Sequence, residues 1–252
     1  ATIDDVTCYG IGAANSAAFD FSNTVASTAP KFNKVRVYNY HFGAAFLNTT
    51  DGGIEGVQFN LCDFVGVQDG VRFRNSFGAG YFPPQIAWMG GHINAANRNF
   101  DLEICSQLQV ANGVFYNSGN AEFMRLSTVS DFNISNNQFY DIGGSSRGIA
   151  INTTTPIEGG TIDANRFKLN GSANCVDIDY SGGAISNMQV TNNRKPSGSG
   201  MVNISGGSTP DDLYINNKDK DVDDAYQSLS VTSSVSTLDI TGDRAPFILL
   251  SS

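Results

Sequence analysis

A block of alternating apolar and polar residues recurs about every 25 residues along the whole chain, and few folds accommodate such a period. The clearest copy is FNISNNQF, Phe132 to Phe139. With its second apolar residue, Ile134, as anchor, equivalent anchors are Val37, Phe59, Trp88, Val110, Ile162, Val190, Ile215 and Ile240. Two residues earlier the column is apolar in every copy but one: Val35, Val57, Ile86, Leu108, Phe132, Met188, Leu213 and Leu238, with Gly160 the exception. Five residues later it is mainly aromatic: Phe42, Phe64, Ile93, Phe115, Phe139 and Phe167. Three residues after the anchor stand Tyr40, Cys62, Gly91, Gly113, Asn137, Asn165, Asn193 and Lys218. Asn and Gly accept left-handed backbone, so the chain is expected to turn a corner there.

A second alternating segment follows each corner, as GVRFRN, FDLEIC, AEFMRL, GIAIN, CVDID or GMVNI. Period two directs Val71 and Phe73, Leu102 and Ile104, Ile149 and Ile151, and Val176 and Ile178 inward. A short third strand is expected in the variable remainder of each coil. Stacked about 4.8 Å apart, such coils pile like residues on like. The expectation is an all-β, right-handed single-stranded parallel β-helix of about nine or ten coils, roughly 45 Å long, with residues 1–252 as one domain. A sandwich or propeller would show hairpin turns and a period nearer 40, and a helical solenoid would show a 3.6-residue period.

Composition narrows the partners. The net charge of −9 argues against nucleic acid or an anionic membrane, since no counterion release would drive such binding. A local basic patch could still hold an anionic polysaccharide. No apolar run reaches the roughly 18 residues of a membrane span. The segment ATIDDVTCYG has no basic and apolar leader, so no signal peptide is expected, and its entry in mid-pattern suggests a piece of a longer chain. Cys8, Cys62, Cys105 and Cys175 are spaced as small buried hydrophobes rather than as disulfides or a metal site. His41 and His92 lie too far apart in the repeat for a metal centre or a histidine triad. No cofactor is expected.

Blocks such as VQFNLCDF, LQVANGVF and FNISNNQF resemble the parallel β-helix repeat shared by pectin-degrading enzymes, alginate epimerases and phage tailspikes. The pectin-hydrolase motifs are missing: no Asp-Asp pair accompanies a Gly-His-Gly, and Gly90-Gly91-His92 falls on a corner. The acidic, His-poor, Asn-rich composition is most similar to a tailspike shaft. That resemblance implies a homotrimer on a virion tail that binds, and in many cases depolymerises, bacterial surface polysaccharide such as capsule or O-antigen. The alternatives are a non-catalytic structural or adhesive β-helix, and a bacterial polysaccharide lyase or epimerase.

The two strand faces differ in chemistry. Beside the anchors the outward residues are mainly uncharged, among them Gln58, Gln109, Asn133 and Gln189, which suits subunit packing or sugar hydroxyls. The outward residues of the second strand are charged. Glycoside hydrolysis needs two carboxyls, about 5 Å apart for retention and roughly 6.5–9.5 Å for inversion, distances that adjacent coils supply. Glu103 and Glu122 suit the shorter spacing and Glu122 with Asp177 the longer, with Asp179 beside them as the fourth catalytic candidate. Arg72 and Arg74 would hold an acidic sugar, Asp101 beside them is a further substrate-binding candidate, and Tyr81 and Phe82, on the long insertion of the Trp88 coil, would give a ring platform. A solvated charged face, and aromatic residues packed on the core or a neighbouring subunit, are the bland counterparts. Trp88 is expected in the core.

Overall fold

A computed structural model of the protein describes residues 2–21, 27–28, 30–46, 54–74, 85–119, 121–142, 147–152, 157–170, 174–179, 181–183, 185–195, 200–206, 213–219, 229–232 and 249–250. Among them there is no helix, and the strands stack as a parallel β-solenoid. Every strand pairing among these residues is parallel except the last, where Leu249–Leu250 lies antiparallel against Leu213 and Tyr214.

Three sheets run along the solenoid. The first stacks Lys31–Asn33, Val57–Asn60, Ile86–Met89, Gln109–Ala111, Phe132–Ser135 and Gly160–Asp163, and continues into Met188–Lys195. The second holds short strands immediately past the corner, such as Arg36–Tyr38, Val114–Asn117, Gln138–Asp141 and Arg166–Lys168. The third contains Phe42–Phe46, Met124–Ser130, Ile149–Asn152, Val176–Asp179 and Val202–Ser205. Two long strands, Asp63–Phe73 and His92–Ser106, serve both the second and the third. The extra strand carries the aromatic column right after the corner, and short strands also occur in the variable remainder where one was expected: Ser27–Thr28 pairs with Ile54–Glu55, and Ile157–Glu158 with Ile185–Ser186.

The anchor column pairs as read from Phe59 onward: Phe59 faces Trp88, then come Val110, Ile134, Ile162, Val190 and Ile215. Before Phe59 the partner is Phe32, not Val37. Val37 pairs with Phe64 in the second sheet, and Phe42 pairs with Asp69 in the third. The misreading has a local cause. KFNKVRVY contains two alternating runs separated by the corner at Lys34, and either run satisfies the pattern.

The corner itself lies one residue earlier than expected. Lys34, Leu61, Gly90, Asn112, Asn136, Ala164 and Asn192, each two residues past its anchor, have φ between 52° and 74°. The next residue is buried at every corner but that of Gly90, where Gly91 is half-buried, and asparagines there support the turn from inside. Asn137, Asn165, Asn193 and Asn217 form a continuous ladder, with Asn217 in the place expected for Lys218. Each Nδ2 donates to the anchor carbonyl of the preceding coil, at 2.8 Å from Asn165 to Ile134, and to the next asparagine's Oδ1. Each Oδ1 also accepts the backbone N–H of the ladder residue before it, Gly113 for Asn137 and an asparagine for the other three, at 2.9–3.0 Å. At Gly91 the ladder gives way to bare backbone, because an added Cβ would lie 2.0 Å from the Cys62 carbonyl oxygen.

About 6 turns form the body, anchored on Phe59, Trp88, Val110, Ile134, Ile162 and Val190, fewer than the nine or ten expected. Of the three other anchors, Val37 belongs to the second sheet, the coil of Ile215 runs on into residues outside the description, and Ile240 is itself outside it. Strands before Phe59 and after Val190 prolong the columns, but those of the first coil, Thr2–Asp4, Thr7–Tyr9 and Ala17–Asp20, contain no fully buried residue.

Inside, the core is one continuous cluster. Phe32 stacks on Phe59 at 5.1 Å, and Phe139 on Phe167 at 4.9 Å, within the offset-stacking range. Trp88 is fully buried between Phe59, Phe64 and Phe100, as expected. The inward residues of the third sheet are buried too, apart from Ile104, which is half-buried. None of the four cysteines forms a disulfide. Burial pushes the Cys62 thiol up to about 11 and the Cys105 thiol up to about 12.

Candidate functional site

The third sheet lines up its charges across three consecutive coils. Asp69, Arg72 and Arg74 stand on the coil of Phe59, Arg98, Asp101 and Glu103 on that of Trp88, and Glu122 and Arg125 on that of Val110. Strand register sets Asp69 opposite Arg98, Arg72 opposite Asp101, and Asp101 opposite Arg125. Signs therefore alternate from coil to coil, and the four acids and four arginines balance.

Asp101 is the centre, with a side chain only 1 % exposed. Its Oδ1 accepts from Arg74 Nη1 at 3.0 Å and from Arg125 Nε at 2.7 Å. Its Oδ2 accepts from Arg125 Nη2 at 3.0 Å and from Arg74 Nη2, while Arg98 Nη1 lies 3.8 Å away. Glu122 Oε1 accepts from Arg98 Nε at 2.8 Å, and Arg74 Nη1 also lies 3.5 Å from Glu103. Asp69, equally buried, accepts from Arg72 at 3.2 Å, from Asn97 Nδ2 at 2.7 Å and from the Arg98 backbone N–H. Arg72 also covers the Phe42 ring at 4.9 Å. A buried carboxylate with several guanidinium donors is stabilised by charge-assisted hydrogen bonds and fixes the planes of its donors. Between 18 % and 29 % of each arginine side chain reaches solvent, together with part of Glu103.

The expected carboxylate pairs do not form. Leu102 faces Leu126, so Glu103 is level with Ser127, five residues further along the chain than Glu122. Glu122 and Asp177 are likewise offset, because Asp177 is level with Ala150 and Arg125. The cause is that Glu122 precedes the strand Met124–Ser130 and does not lie within it. Phe123 and Met124 are both buried, in keeping with FMRL not alternating cleanly in the sequence. Asp177 and Asp179 do stand side by side, two residues apart on one strand. Asp177 accepts from Asn174 Nδ2 at 2.8 Å and lies 3.7 Å from Arg147, and Asp179 accepts the Ser181 N–H at 2.9 Å. Asp101, read as facing outward, is buried beneath its arginines. Tyr81 and Phe82 lie outside the described residues.

Asp69, Arg98 and Arg125 escaped the sequence reading, which began the second strand at GVRFRN and FDLEIC and so cut off Asp69 and Arg98. A signal existed: Asp69 and Arg98 follow their anchors, Phe59 and Trp88, by the same number of residues and carry opposite charge. The second sheet adds a pair that was also missed. His92 Nδ1 lies 2.8 Å from Asp63 Oδ1, and the edge of the imidazole meets Tyr116. Among the described residues no three His, Cys, Asp or Glu side chains converge to hold a metal ion. Comparison of the chain with family models, with curated proteins and with solved structures finds no match in any of the three.

Proposed function

We propose that the protein is a receptor-binding β-helix shaft, similar to a tailspike, whose charged third-sheet face binds an acidic bacterial surface polysaccharide. One observation carries the reading: Asp101 gathers Arg74, Arg98 and Arg125 around one buried carboxylate while each of these side chains stays partly exposed. Guanidinium groups ordered in advance lose little freedom on gripping a sugar carboxylate, which they match in a two-pronged fork. Coils about 4.8 Å apart present such forks at a spacing comparable to a sugar residue. On this reading the shaft belongs to a virion tail and acts as a homotrimer, and sedimentation at three times the chain mass is the expected result.

The test of binding uses a polyuronate hexamer in titration calorimetry. Arg125→Gln should weaken it about tenfold, as should a rise in salt from 50 to 200 mM. Unchanged affinity in both would remove this face as the site.

A second reading, depolymerisation, draws on Asp177 and Asp179. Two residues of strand separate them by about 6.6 Å, near the lower limit for an inverting pair. Release of reducing ends that vanishes in Asp177→Asn and Asp179→Asn would support it. Binding without product favours the shaft alone.

A further inference from the structure

From Gln58 to Gln189 the outward column ahead of the anchors on the first sheet is uncharged, with Lys31 paired to Gln58 at its start, and it has one interruption. The column runs Gln58, Ala87, Gln109, Asn133, with Ala87 register-paired to Gln58 on one side and to Gln109 on the other. A side chain that ends at Cβ between two long amides leaves a notch. The corner residues widen it: Gly56, in the left-handed region at φ 71°, has no side chain, while Gln85 and Gln107 stand at the matching corners of the next two coils. The resulting groove has a volume of about 210 Å³, enough for roughly seven waters or one pyranose ring.

Its lining contains no ionisable group. Four glutamine amides surround it, and none of them makes a side-chain hydrogen bond to another described residue. Each amide offers donors and an acceptor, the combination that neutral hydroxyls require, whereas a charged ligand would find no counter-charge here. Backbone at the floor is fixed by the ladder, so the amides start from a rigid base.

We infer that this notch is a binding site for a neutral, hydroxyl-rich saccharide residue, with Gln58 and Gln109 as opposing walls and Ala87 as the floor. It lies on a different sheet from the arginine face. It shares a ligand class with the proposed function but stands or falls on its own.

Ala87→Gln decides the matter, because it removes no amide and only continues the column that Gln58 and Gln109 already define. Titration of the intact chain with maltohexaose and cellohexaose, monitored by side-chain amide shifts, should show binding to the wild type. Affinity should fall at least tenfold in Ala87→Gln and about as much in Gln109→Ala. The unfolding midpoint should not change. Arg125→Gln should leave neutral binding intact and impair only the polyuronate, which separates failure here from failure of the arginine face. No binding by either neutral hexamer, or binding indifferent to Ala87→Gln, would overturn the assignment.

Discussion

Asn165 uses its full hydrogen-bonding capacity inside the protein. Its Nδ2 donates to the Ile134 carbonyl and to Asn193, and its Oδ1 accepts from the Asn137 backbone and side chain. Asn165→Ala would strand several of these buried groups at once, each costing about 1–3 kcal/mol, so a loss of about 3 kcal/mol is expected in urea unfolding. The exposed Asn133→Ala should stay within about 0.5 kcal/mol. Cys62 and Cys105 give a second expectation. Each thiol titrates near 9.0 when unfolded and near 11 or 12 when folded. Below pH 9 both states hold the proton, and stability is unaffected. Between pH 9 and 11 only the unfolded state loses it, so each thiol withdraws about 1.4 kcal/mol of stability per pH unit. Cys105→Ala should make the alkaline fall in unfolding free energy shallower, and an unchanged slope would remove this thiol as a cause.

Among the elements, the strands of the first sheet were the most legible. Period-two alternation and a corner that only a few residues tolerate mark each copy twice, and the pairing of Trp88, Val110, Ile134 and Ile162 follows the reading. Legibility failed where one strand continued through a bend. Asp63–Phe73, which bends at Gly66 with φ 67°, and His92–Ser106 each run through two sheets, and a reading that starts the second strand at GVRFRN and FDLEIC loses the offsets of Asp69 and Arg98. The third-sheet charges were visible as residue types but not as partners, because partnership depends on register between coils of unequal length. Their alternation makes Asp101 the most consequential position. Asp101→Asn would leave Arg74, Arg98 and Arg125 facing one another, at a cost of about 3 kcal/mol, the lower end of the range for a broken buried pair because the arginine side chains keep partial access to water. Thermal unfolding checks it, and a double variant with Arg125→Gln should recover part of the loss.

On the scale of the molecule, a solenoid of similar coils faces a hazard that irregular folds escape: a winding chain can omit a coil and still stack apolar columns correctly. The sign alternation described on the third sheet answers that hazard. Were the Trp88 coil left out, Asp69 would meet Glu122 and Arg72 would meet Arg125, like against like in a half-buried setting. Farther along, the same error goes unpunished, since omitting the Ile162 coil sets Ala150 against Asn203 and keeps the asparagine ladder in step. Excising residues 159–186 should therefore leave a cooperatively unfolding solenoid, while excising 85–106 should not, as circular dichroism in urea would report. The arginines and carboxylates thus proof-read the threading of the chain, coil against coil, in the stretch where hydrophobic side chains alone accept a wrong count.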